Sequence, residues 1–314
     1  MSSKSVLSLL VLNIVWSSFY VANRFSLLKL SPVFVGVTVR FLALFILLLF
    51  IFLKGYQKNL LKIRPIFPKL LLIGILGFSL DITAFMGLQL STASNAAILL
   101  KSDVLFTNLI SIIIFKQRFT KADWVLTGLI LLGTIFVIDI DFSDFRLNGI
   151  GDLLFILSAL FVALNGFLIK SVQSDKQIDI KDTTVAFYNN LITFIIFFFV
   201  MIFFEKNIPI KTIEQSPVLI FSLIYTGIMQ TAIYILYYYN LRILPVWIVR
   251  ITLLIMPVFA SLIGFFLLGE SLKGIQITGM SIVLLSTMGI ILIQRKKGSN
   301  STKTKRKAND RRIK

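Results

Sequence analysis

Apolar runs of span length recur ten times along these 314 residues, near 5–28, 32–53, 69–89, 92–115, 122–139, 152–172, 183–204, 217–240, 245–267 and 274–294. Each has the roughly 20 residues that a helix needs to cross about 30 Å of hydrocarbon. In that solvent every backbone N–H and C=O must find its partner inside the protein, so isolated runs of this kind fold as helices. With 57% hydrophobic and 15% charged residues and a mean hydropathy of +0.92, the chain carries more apolar surface than a water-soluble domain can bury. The expected fold is all-α, an integral membrane protein of ten transmembrane helices.

The runs fall into two sets of five. Phe106, Leu109 and Ile110 return as Phe259, Leu262 and Ile263, each 153 residues later, and Gln117 stands where Glu270 does. Self-similarity at half the chain length is the mark of carriers built from two related halves. Because five is odd, the halves cross in opposite senses. That predicts a 5+5 inverted repeat with a binding site where the halves meet. We divide the chain into a first five-helix repeat, 1–140, a second, 141–294, and a tail, 295–314.

Lys and Arg set the orientation. With the N-terminus inside, the cytoplasmic segments carry 23 of them and the outer connections 5, namely Lys29, Arg146, Lys206, Lys211 and Lys273. A multi-pass protein of the cell membrane with both termini cytoplasmic is expected. This distribution, rather than nucleic-acid binding, accounts for the net charge of +18. Lys4 precedes an apolar run as in a signal peptide. The run is of full span length and Tyr20-Val21-Ala22-Asn23-Arg24 is a poor cleavage site, so it is read as a retained first helix. The tail has ten basic residues against Asp310 and no apolar face; it reads as disordered, fixing topology and touching anionic headgroups.

Cysteine and histidine are both absent. That excludes disulfides, thiolate chemistry, His-ligated metals and Ser-His-Asp catalysis. No phosphate-binding loop appears, which argues against ATP-driven transport by this chain alone. No catalytic residue, metal or cofactor is expected. The outer acids Asp139, Asp141 and Asp144 are the one metal-like run, and Arg146 is their only basic neighbour.

Met256-Pro257-Val258-Phe259-Ala260 followed by Leu268-Gly269-Glu270-Ser271-Leu272 resembles the Pro-Val-Phe…Leu-Gly-Glu pattern of the EamA-like families of the drug/metabolite transporter superfamily. Val15-Trp16-Ser17-Ser18-Phe19 is similar to the Trp-Gly-Ser-type first helix of those families, with Ser17 in the glycine's place, and Pro32 with Arg40 fits the second helix. The resemblance covers residues 5 to about 294. It departs at the fourth helix, where Val104 replaces the proline, Gln117 the glutamate, and Lys101-Ser102-Asp103 precedes them. It implies movement of small metabolites, commonly amino acids, nucleobases, sugars or toxic cations, often outward.

Four charges lie near span centres: Arg40, Asp81, Lys101 and Asp103. Each costs about 2.5–3.5 kcal/mol on insertion scales and so calls for an explanation. Lys101 and Asp103 are two residues apart, about 200° around a helix, and cannot pair within it. The expected pairs are Asp81 with Lys101 and Arg40 with Asp103. Structural ion pairs and a substrate-binding or coupling site are both open readings. Further candidates are Trp16, Ser17 and Asn23; Asn165; Gln230, Thr231 and Tyr234; and Trp247 and Arg250. Pro257, mid-helix, removes a backbone donor and is the expected hinge. Gly74 and Gly77, Ala93 and Ala97, and Ala159 and Ala163 read as close helix contacts.

The expected function is secondary transport, in the export direction, of a small polar metabolite such as an amino acid by alternating access, without enzymatic activity. The alternatives are a polytopic membrane enzyme acting on a lipid-linked substrate, an organic-cation efflux carrier, and a channel-like or scaffold protein. The expected partners are the substrate and membrane lipid; a homodimer is left open.

Overall fold

The computed structural model describes residues 1–140, 149–175, 180–205, 213 and 215–310, with Ala93 and 297–310 described by backbone alone. Among the described residues ten helices are long and apolar enough to cross a membrane: α1 Ser3–Leu27, α2 Pro32–Leu53, α3 Arg64–Leu90, α4 Ser94–Ile113, α5 Lys121–Ile138, α6 Ile150–Gln173, α7 Asp182–Phe204, α8 Pro217–Ile243, α9 Val246–Leu268 and α10 Gly274–Lys296. There is no strand among the described residues. Asp141, Asp144 and Arg146, and with them the outer acidic run beyond Asp139, lie outside the described residues.

Polar residues at the ends of the apolar runs start the helices. Ser2 accepts from the Ser5 amide, and Ser31 from the Phe34 amide with Pro32 at the first helical position. Thr120 and Asp123 form a reciprocal capping box at α5. Gly269 ends α9 in the left-handed region, φ 69°.

The residue distribution is that of a protein dissolved in lipid. Asn13, Asn108, Asn190 and Thr127 are fully buried, whereas Phe45, Leu53, Phe199 and Phe203 are exposed around the outside. Most of the largest helix contacts map onto one another when each helix is exchanged with the one five positions along. α3 packs on α6 and α8 on α1; α3 on α7 and α8 on α2; α4 on α6 and α9 on α1. The pairs α2 with α7, α5 with α10 and α4 with α9 map onto themselves. α5 and α10 cross at glycines: a Cβ on Gly133 would stand 2.9 Å from the Gly279 carbonyl, and one on Gly279 would stand 2.7 Å from the Gly133 carbonyl. Gly74 and Gly77 admit Ile192, Asn189 and Thr193 of α7 in the same manner.

The fourth and ninth helices are both interrupted. α4 is made of Ala93–Leu99 and Ser102–Ile113, parted at Leu100-Lys101. α9 is made of Val246–Thr252 and Met256–Leu268, joined by a 3₁₀ turn at Leu253–Ile255. Ala93 and Val246, Leu99 and Thr252, and the α5 and α10 starts Lys121 and Gly274 are each 153 residues apart. The interruption is therefore a property of the repeat. In α9 the expected bend falls just before Pro257. Lacking an N–H, Pro257 cannot bond the Leu253 carbonyl, which accepts from the Met256 amide instead. Proline in the first turn of the second segment breaks no further bond.

The helix that begins at Gly274 runs on to Asp310, into the basic tail that the sequence reading left without secondary structure.

Candidate functional site

The two interruptions bring charge into the middle of the bundle. Side chains of neighbouring helices reach the backbone carbonyls at the α9 interruption. Ser17 of α1 donates to the Met256 carbonyl at 2.8 Å, and Thr134 of α5 donates to that of Leu254 at 3.4 Å. Ser17 thus braces the break in α9 from the glycine-like position of the first helix.

Arg40 of α2 pairs with Asp81 of α3 through Nη2 and Oδ2. Its guanidinium lies 4.6 Å from the ring centre of Phe197 on α7, and its carbonyl accepts from Asn190 at 2.9 Å. Arg250 of α9 faces Asp103 of α4, Nη1 to Oδ2 3.7 Å, with side chains 11% and 14% exposed. Arg250 also donates to the Val162 carbonyl of α6 at 3.1 Å and lies 5.2 Å over the Tyr237 ring. Tyr237 in turn meets Trp16 edge-on at 5.6 Å.

These pairs correct the expected ones. Asp81 takes Arg40 rather than Lys101, and Asp103 takes Arg250 rather than Arg40. The physical reason is packing. The self-mapped contact of α4 with α9 puts Arg250 opposite Asp103, whereas Arg40 lies on α2 beside α7 and α8. Lys101 is left at the break in α4, half-buried, within the field of Asp103 and Arg250 but in no ion pair among the described residues.

Tyr20 lies within reach of the field of both pairs. It is 53% exposed, and the charges of Asp81, Asp103 and Arg250 all act on it. Tyr234, with Gln230 beside it one turn away, is within the field of Arg40 and Asp81. Trp16 and Gln230 thus sit with the charged cluster. Ser17 and Pro257 sit at the α9 break.

Other candidates serve packing. Asn165 donates to the Ile73 carbonyl at 2.7 Å, joining α6 to α3, and Thr231 bonds within α8 at 3.1 Å. Trp247 is 5% exposed, its ring 4.5 Å from that of Phe119. Arg24 pairs with Glu270 at 3.0 Å on the exposed surface. Asn23 keeps a buried Oδ1 with no partner among the described residues. Tyr20, Tyr237 and Phe197 went unflagged in the sequence. Tyr237 lies three residues after Tyr234, on the same helix face, and that spacing was the available signal.

The cluster is sealed at its α9 end and less enclosed at its α4 end. From Val246 to Ile255 every residue but Arg250 is buried. In the equivalent stretch of α4, 94–100, only Asn95 and Ala96 are. On the sealed side Phe119 meets Trp247 at a tilt, and Phe115 stacks on Phe167 at 4.9 Å. There Lys170 caps α8 by donating to the carbonyls of Leu241, Arg242 and Leu244 at 2.5, 2.7 and 3.1 Å. Arg242 pairs with Asp182 at 2.6 Å.

The model of the EamA-like transporter family matches residues 3–139 and 149–292. A curated relative from Archaeoglobus fulgidus, named only as an uncharacterized transporter, is 27% identical over 297 residues, covering 91% of this chain and 85% of its own length. A solved crystal structure superposes with a TM-score of 0.79 at 16% identity, over 94% of this chain and 99% of its own, and shares the fold.

Proposed function

Because the chain belongs to the EamA-like transporter family, we propose that this transporter is a secondary carrier that exports a small polar metabolite, such as an amino acid, by alternating access. One observation carries the reading: two halves with a common packing plan hold equivalent segments at different depths of burial. Val246–Thr252 is sealed around Arg250, whereas of the equivalent residues 94–99 only Asn95 and Ala96 are buried. In a two-fold arrangement, exchanging those states closes one face and opens the other while the charged cluster stays in place. The exchange-symmetric packing supports an inverted repeat.

The excess of Lys and Arg supports a cytoplasmic sealed side, since Arg242, Lys170 and Lys116 lie at that end. The less enclosed end then faces outward. Mixed charges with tyrosine and tryptophan suit a polar cargo bearing charge. The cluster holds Arg40, Lys101 and Arg250 against Asp81 and Asp103, and this excess of positive charge opposes an organic cation.

Counterflow tests the proposal. Proteoliposomes of the full-length protein are loaded with unlabelled amino acids and exposed to the labelled mixture. Saturable uptake accelerated by the internal pool is expected. Uptake proportional to concentration and indifferent to the internal pool would indicate a channel instead.

A further inference from the structure

We propose that Lys101 is the carboxylate-binding residue of the charged cluster, so that the cargo carries a single carboxylate. This rests on the carrier reading above and narrows its substrate class.

Three observations lead there. Of the five charged side chains in the cluster, four are matched, Arg40 with Asp81 and Arg250 with Asp103. Lys101 is in no ion pair among the described residues. The acid whose field it feels, Asp103, already faces Arg250.

The fold does not need a charge at this turn. Lys101 occupies the α4 interruption with φ −75° and ψ −6°. The residue 153 positions later, at the α9 interruption, is Leu254, 2% exposed in the core. One half thus builds the break with a buried leucine, and the other keeps an ammonium there in a low-dielectric setting that disfavours it.

Charge count then selects the ligand. The cluster is one positive charge in excess, so a monoanionic group restores neutrality where a phosphate dianion would overshoot. A lysine ammonium, a compact point donor on a flexible stem, suits a carboxylate entering and leaving.

The test uses the purified full-length protein and a panel of the twenty amino acids, their decarboxylated amines and their deaminated carboxylates, read by thermal stabilisation in detergent. Wild type is compared with Lys101→Gln and Lys101→Arg, each first checked for monodispersity. The expected result is stabilisation by carboxylate-bearing compounds and not by the matching amines. Apparent affinity should fall about tenfold to a hundredfold in Lys101→Gln and recover most of the way in Lys101→Arg. Equal binding by Lys101→Gln and wild type overturns the assignment, as does stabilisation by the amines alone or by no carboxylate in the panel. Counterflow of a sugar or nucleoside through the same protein would then leave the carrier reading standing without it.

Discussion

Arg250 of α9 meets Asp103 of α4 across the contact of the two interrupted helices, 3.7 Å from Nη1 to Oδ2, with Tyr237 beneath the guanidinium. One ion pair thus joins the two halves at the point where each helix lacks a continuous hydrogen-bond ladder. Gly166 of α6 makes room for it: a Cβ there would stand 3.3 Å from the Tyr237 hydroxyl and 3.8 Å from Arg250 Nη2. Removing one partner leaves a lone charge in a low-dielectric place, which costs more than removing both.

Asp103→Ala should therefore lower stability by about 3 kcal/mol, and Asp103→Leu with Arg250→Met should return to within about 1 kcal/mol of wild type. Thermal denaturation in detergent measures both. A double variant as unstable as the single one would mean that the pair's own attraction, rather than the orphaned charge, dominates.

The Arg40–Asp81 pair is expected to tolerate reversal. Arg40→Asp with Asp81→Arg should recover monodisperse protein that either single change loses. Exchanging Asp81 with Lys101 should not. Yields by fluorescence-detected size exclusion decide between the two, and rescue by the second exchange would contradict the observed pairing.

Restoring the missing donor should stiffen α9. Pro257→Ala returns an N–H able to reach the Leu253 carbonyl, now taken by the Met256 amide. We expect equal or higher thermal stability with turnover reduced severalfold. Unchanged turnover would remove Pro257 from the moving parts. Ser17→Ala, which deletes the bond to the Met256 carbonyl, should cost about 1 kcal/mol.

The α5–α10 contact is predicted to reject side chains. Gly279→Ala places a Cβ 2.7 Å from the Gly133 carbonyl and should cost about 1–3 kcal/mol. Gly128→Ala on the same α5, where nothing lies within 4 Å, should be neutral or stabilising by up to about 1 kcal/mol. Equal losses at both positions would mean that helix flexibility, not close approach, is at stake.

Much of this architecture was legible before any coordinates. Span length and hydropathy delimit ten helices, and the recurrence of Phe106 at Phe259 announces two related halves. Desolvation cost alone flags Arg40, Asp81, Lys101 and Asp103. Their partners were not legible, because pairing depends on which helices cross, and Arg250 reaches Asp103 only through the α4–α9 contact. The break at Leu100-Lys101 also escaped notice, since it contains neither proline nor glycine and only its equivalence to the Pro257 break reveals it. Tyr20 and Tyr237 looked like ordinary aromatic residues of apolar runs; their role follows from the charges around them.

The central claim is that the sealed side must open for transport, and the absence of native cysteine makes this directly measurable. In a Phe119→Cys/Trp247→Cys protein, whose parent rings are 4.5 Å apart, a short cleavable thiol cross-linker fastens the sealed end. Counterflow should stop on cross-linking and return on cleavage, while Tyr20→Cys in a parallel protein reacts with an impermeant reagent from the outer face. Transport that continues with Phe119→Cys and Trp247→Cys fastened together would contradict alternating access through this end.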